Sequence, residues 1–152
     1  MTTLLYTHPV FLEHDTGYGH PECPARLTAI LNALKHSSFA ALQWRDAPLA
    51  AIEQLTRIHT ATHVERTLSR IPKHGHYAID GDTIVSPQSG EAALRAAGAV
   101  CAAVDAILQG EADNAFARFG RRAIMRSPTK RWASVCSAMP QSALPTPGPF
   151  TI

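Results

Sequence analysis

Cysteine is scarce in this chain of 152 residues: Cys23, Cys101 and Cys136 are odd in number, far apart, and form no CxxC pair. Neither a disulfide framework nor a structural zinc knot is indicated. There is no apolar run of bilayer-spanning length. Met1–Pro9 lacks the basic start and apolar stretch of a signal peptide, so a cytoplasmic protein is expected. Gly17 and Gly19 do not make a GxGxxG fingerprint, and no HExxH is present.

Acid is missing from one part of the chain only. Residues 1–117 carry 8 basic and 12 acidic side chains, a net −4, whereas residues 118–152 carry Arg118, Arg121, Arg122, Arg126, Lys130 and Arg131 with no acid, a net +6. The sum is the overall +2. So sharp a break points to two segments of different origin. A basic arm for nucleic acid or a membrane surface is one reading of the second segment. An unstructured extension is the plainer one.

What is present suits one globular domain, with 45% apolar residues. Thr3–Thr7 reads as a short buried strand. A polar loop follows over His8–Glu22. Pro24 stands where a helix can begin, because its missing N–H costs nothing there. Leu27, Ile30, Leu31 and Leu34 then recur at helical spacing. Leu42–Ala47 is a second strand, and Ala50–Ile71 is helical in two pieces. Pro72–Gln88 shows little periodicity and carries Gly75, Gly81 and Pro87, so a long loop is expected.

Glu91–Leu108 is the strongest helix, apolar on most sides and therefore expected to be buried on more than one face. Gly110 ends it in a left-handed turn. Ala112–Ala117 is a short strand. The alternation predicts an α/β fold with a largely parallel sheet. Beyond Ala117 neither period survives, and Pro128, Pro140, Pro145, Pro147 and Pro149 interrupt the chain.

Three clusters carry groups capable of chemistry. The loop His14-Asp15-Thr16-Gly17-Tyr18-Gly19-His20-Pro21-Glu22 collects two His and two carboxyls besides its glycines. Metal binding or acid–base work is one reading; a surface loop whose polar side chains cap the next helix is the favoured one. His59 and His63 are four apart, the spacing of two zinc-binding His on one helix face, but a half-buried face without a third ligand is the simpler account. His74, His76, Asp80 and Asp82 crowd the long loop. There a carboxylate at a cleft's lip could hold substrate N–H groups, or Asp80-Gly81-Asp82 is simply a turn. Arg26 sits in a first helical turn, where the helix dipole disfavours a cation, a hint of an anionic partner.

Together these residues resemble a family. Phe11–Gly17, Gly19-His20-Pro21-Glu22, Pro24 and Arg26-Leu27 are similar to the opening motif of bacterial histone deacetylase-like proteins, acetylpolyamine amidohydrolases and acetoin-utilisation proteins. Ile58-His59 with His63-Val64-Glu65-Arg66, Asp80–Thr83 with Val85-Ser86-Pro87, and Glu91–Gly98 resemble the next blocks. Ala112–Ala117 looks like the strand leading into the catalytic motif. The resemblance covers residues 3–117.

In that family the strand continues through a valine or leucine into RPPGHHA and then an MGFC–FNN segment. This chain has Arg118-Phe119-Gly120-Arg121-Arg122-Ala123-Ile124-Met125 instead. A shifted reading frame accounts for the change. Take the last base of each codon with the first two of the next. Phe119–Gly120 then permits Arg, the following pairs permit Pro, Pro, Gly, His and His, and Met125–Arg126 permits Ala. Further on, Trp132–Ala133 forces Gly and Met139–Pro140 forces Ala. The hidden text reads RPPGHHAEPDKAMGFCLFSNAA. Its unbroken order, the charge break and the prolines point to a frameshifted segment over 118–152.

The resemblance implies an α/β fold, the N-terminal portion of a mainly parallel-sheet, arginase/deacetylase-like domain over 1–117, followed by a basic and disordered 118–152. It implies a zinc-dependent hydrolysis of acetyl-amide bonds in acetyl-lysine or acetylpolyamine, with Zn2+ held by residues beyond this chain. The tandem His of the motif would be lost after Ala117. No catalytic or metal residue is therefore expected here, and no bound zinc. Asp82 matches the family's rim aspartate, which holds the substrate. Arg26 matches an arginine of the interior channel, and His20 and Tyr18 belong to the loop that walls the site. The expected partner is an acetylated amine, not nucleic acid or a membrane. The other expectation is an inactive fragment, or a protein that binds through its basic segment.

Overall fold

A computed structural model describes residues 1–120 of the chain. Five strands and four α-helices follow in the order β1 (Thr3–Thr7), α1 (Pro24–Leu34), β2 (Leu42–Asp46), α2 (Ile52–Thr56), α3 (Ala61–Ser69), β3 (Tyr77–Asp80), β4 (Thr83–Val85), α4 (Ser89–Leu108) and β5 (Asn114–Ala117). Short 3₁₀ turns lie at Pro9–Leu12 and Ser37–Phe39. The expected disorder of 118–152 concerns a segment that, from residue 121 on, lies outside the described residues.

The sheet is parallel in the order β2-β1-β5, so β1 is central. Chain order reverses there: β2 follows on one side of β1 and β5 returns on the other. In open α/β sheets such a switch point opens a crevice at the carboxyl ends of the strands. The loop after β1 and the residues after β5 flank it.

Leu4 and Tyr6 share one sheet face and pack with Ala92, Ala96, Ala99, Ala103 and Ala106 of α4. Alanine lets the long helix lie close. Gly98 lies against the backbone of Pro48–Ala50; a Cβ there would fall 2.1 Å from the Pro48 carbonyl oxygen. Arg95 Nη1 donates to the Ala47 carbonyl at 2.7 Å, and the Ala50 N–H donates to Leu94 O at 3.0 Å, clamping the same segment. A second side of α4 carries Ala93, which joins Ala50, Leu55 and Val64 in a separate cluster. The expected burial of this helix on more than one face is thus met. It ends on Gly110 at φ +75°, with Gly110 N donating to Ile107 O and Glu111 N to Ala106 O, a Schellman closure.

On the opposite sheet face Leu5 pairs with Trp44 and Phe116 across the ladder. Leu5 is buried, while Trp44 and Phe116 are 40% and 53% exposed.

One expectation fails. Pro72–Gln88 is not simply a loop: it holds the antiparallel hairpin β3–β4, which turns at Gly81-Asp82 with irregular register between Ala78 and Asp80. Strands of four and three residues are too short to display a period of two.

Candidate functional site at the carboxyl end of the sheet

The loop leaving β1 is pinned by polar side chains. His14 and Glu22 are buried, as are Ser86 and Ser89 at the corner between β4 and α4. His14 Nδ1 lies 2.6 Å from Ser89 Oγ. Ser89 Oγ also accepts from the Ser86 N–H at 2.8 Å, and Ser86 Oγ accepts from the Asp15 N–H at 3.0 Å. Ser89 Oγ also lies 3.1 Å from Ser86 Oγ, so the two hydroxyls and the imidazole form one connected buried cluster. Burial lowers the His14 pKa below its usual value, opposed by the charges of Glu22 and Asp15 and aided by His20.

The same loop is tied to the hairpin. His76 Nε2 and Asp15 Oδ2 are 3.1 Å apart. Asp15 also accepts the Gly17 N–H at 3.0 Å. The backbone bond and then His76 hold the Asp15 carboxyl below its ordinary range. Gly17 and Gly19 adopt φ of +86° and +80°, a conformation that glycine adopts without penalty. Thr16 Oγ1 donates to the Glu22 carbonyl and closes the loop.

His20 stands inside this arrangement: its Nδ1 accepts from the Glu22 N–H at 3.1 Å, and its charge is felt by His14. Tyr18, on the same loop, projects fully into solvent. Asp82 is exposed at the hairpin tip, its N–H bonded to Asp80 Oδ1 at 2.9 Å. The base of that hairpin, not its tip, is tied to the His14–Asp15 loop through Ser86 and His76.

Arg26, in the first turn of α1, neighbours Arg118. Arg118 continues the β5 ladder, donating its N–H to Tyr6 O at 2.8 Å, while Thr7 Oγ1 donates to the Arg118 carbonyl at 3.1 Å. Its guanidinium is desolvated and faces a like charge, and both effects push its pKa down. The buried Nε has no hydrogen-bond partner among the described residues. Two residues on, a Cβ at Gly120 would meet Glu22 Oε1 at 2.5 Å and His14 Cδ2 at 3.8 Å, so the chain after β5 passes directly over the loop after β1.

The sequence offers Ser86 only as part of the Val85-Ser86-Pro87 block and does not single out Ser89. Their signal is modest, a pair of serines around Pro87 just before a helix, where hydroxyls satisfy free backbone donors. Their partner is 75 residues away, and no local pattern reveals it.

Residues 20–122 match the family model described as the histone deacetylase domain. The chain belongs to the histone deacetylase family. It is 39% identical over 99 residues to the histone deacetylase-like amidohydrolase of Pseudomonas aeruginosa, covering 64% of this chain and 26% of that protein. A probable deacetylase of Archaeoglobus fulgidus is 31% identical over 120 residues, 77% of this chain and 33% of that one. The crystal structure of the HDA15 HD domain superposes with a TM-score of 0.70 at 25% identity, over 84% of this chain and 35% of the other. This member of the histone deacetylase family therefore spans about a third or less of these relatives.

The family implies a metal cofactor. Among the described residues no three His, Cys, Asp or Glu side chains gather to hold an ion. Among the same residues no helix is long and apolar enough to cross a membrane.

Proposed function

We propose that this chain is the N-terminal part of a zinc-dependent amidohydrolase that removes acetyl groups from acetyl-lysine or an acetylpolyamine, and that it lacks the catalytic centre itself. The observation that carries the reading is the convergence of three segments on one end of the sheet. The His14–Glu22 loop, the hairpin base and the residues after β5 meet at the carboxyl ends of β1 and β5, where an α/β sheet binds its substrate. In this reading Asp82 accepts backbone N–H groups of an acetylated amine at the rim, Arg26 lines the interior, and His20 and Tyr18 belong to the wall. A cytoplasmic location belongs to the same proposal.

The reading frame is the second half of the proposal. A frame displaced after Ala117 replaces RPPGHHA with Arg118 and the residues that follow it. Arg118 supports this physically. Its guanidinium is partly desolvated and lies near that of Arg26, and both effects disfavour the charge. Read across Arg118 and Phe119 in the shifted frame, the codons permit leucine or valine, which would bring no charge to the same place.

Restoring the frame, with the downstream sequence, and then changing Asp82→Ala tests the site. Hydrolysis of an acetyl-lysine peptide should fall about tenfold or more in kcat/KM, on the scale of about 1.4 kcal/mol per tenfold, with metal content unchanged. Loss of metal as the main defect would refute the rim assignment.

A further inference from the structure

The β3–β4 hairpin stands apart from the three-stranded sheet. Its two strands pair with each other and with neither side of that sheet. Tyr77, Ala78 and Asp80 of β3 are exposed, Ile79 is half-buried, and the register slips between Ala78 and Asp80. An exposed ladder with little buried apolar surface is the physical mark of a segment that moves at low cost.

The two ends of the hairpin are held differently. β4 ends on the fully buried Val85 and runs into Ser86. The Ser86 N–H donates to Ser89 Oγ at 2.8 Å, and Ser86 Oγ accepts the Asp15 N–H at 3.0 Å. That end is rooted in the protein. β3 is entered instead from Gly75, at φ +67° with open space where a Cβ would stand. Next to it His76 Nε2 lies 3.1 Å from Asp15 Oδ2. A carboxylate only accepts, so Nε2 donates. The two side chains are 42% and 53% exposed, and a pair so open to water holds a segment in place by a factor of about five at most. Asp15 thus grips both ends of the hairpin, one through a buried hydroxyl and the other through a contact that water reaches.

We propose that the hairpin is a flap rooted at the Ser86 corner, with Gly75 as its hinge and the His76–Asp15 contact as the clasp that docks it on the loop after β1. When the clasp opens, Tyr77–Val85 swings as one body with its ladder intact. Asp82 rides on the tip, so the clasp sets how far that carboxylate stands from the loop after β1. The flap itself rests on these contacts; its use in capturing substrate rests on the deacetylase reading.

The test uses the intact 152-residue chain labelled with 15N. Residual dipolar couplings report the orientation of the hairpin against β1, β2 and β5, relaxation dispersion reports its opening, and amide exchange reports its ladder. In the unaltered chain the hairpin amides should share one opening rate, a result that depends on no variant. His76→Ala, at an exposed position, should raise the open population about two- to fivefold. It should shrink the hairpin couplings together and leave those of the sheet, and the ladder amides, unchanged. His74→Ala, outside the clasp, should alter none of these. Activity is not read, so the outcomes are separate from those that decide the deacetylase reading. The proposal is overturned if the hairpin amides share no opening rate or if His76→Ala leaves the couplings as they were. It is equally overturned if the ladder amides lose protection in His76→Ala, so that the hairpin melts instead of swinging, or if His74→Ala acts like His76→Ala.

Discussion

His14 and Ser89, 75 residues apart in sequence, meet through a 2.6 Å contact between Nδ1 and Oγ, and both residues are buried. The contact joins the loop after the central strand to the first turn of the longest helix. With the Asp15 N–H to Ser86 Oγ bond it ties the first third of the described chain to the last.

Replacing Ser89 with alanine removes the hydroxyl that serves both His14 and the Ser86 N–H. Two buried polar atoms then lose a partner. Stability should fall by about 1–3 kcal/mol, since an unsatisfied buried group costs that much. Urea denaturation of the two chains measures it, and an unchanged midpoint would show that the contact is dispensable.

Acid should loosen the same tie. The folded pKa of His14 lies below its ordinary value of 6.5 because burial disfavours the charged ring. The unfolded chain therefore binds a proton more readily, and stability rises with pH through this window. The contribution is fully present above pH 6.5 and is lost as pH falls through the folded pKa. Denaturation midpoints across this range should drop on acidification in the unaltered chain and drop less in His14→Gln.

Gly98 and Gly90 separate backbone crowding from side-chain crowding. A Cβ at Gly98 would lie 2.1 Å from Pro48 O and 2.7 Å from Ala50 N, both backbone atoms, whereas at Gly90 the nearest atom is Ile71 Cγ1 at 3.2 Å. Gly98→Ala should therefore cost about 1–3 kcal/mol or more. Gly90→Ala should cost less, because a side chain yields where a backbone cannot and because alanine favours the helix. Thermal unfolding of both variants gives the comparison; equal costs would contradict the packing described.

Arg118→Leu should stabilise the chain. It removes a desolvated guanidinium that faces Arg26. Loss of stability instead would mean that the charge is satisfied.

Much of this was legible in the sequence, for physical reasons. The helical period of α1 and α4, Pro24 at a helix start and Gly110 at a helix end are local signals, and local signals survive in one chain. β3 and β4 were not legible because seven residues in two short strands carry no visible alternation, and Asp80-Gly81-Asp82 reads equally well as an isolated turn. The candidate site was half legible. Arg26 stands out as a cation in a first helical turn, whereas His14 and Glu22 read as parts of a surface loop and are in fact buried. Ser86 and Ser89 do not stand out, because what makes them matter is a partner brought by the fold. The spacing of His59 and His63 allowed a shared face, but only their ring geometry shows that they meet.

In the proposed reading this chain carries the opening part of a deacetylase whose catalytic motif was lost from the reading frame after Ala117. The most direct measurement is acetate release from an acetyl-lysine peptide by the frame-restored protein with its downstream sequence, beside the chain as it stands. The restored protein should release acetate in a chelator-sensitive reaction, and the present chain should release none. Acetate release by the present chain, or none by a folded restored protein, would contradict it.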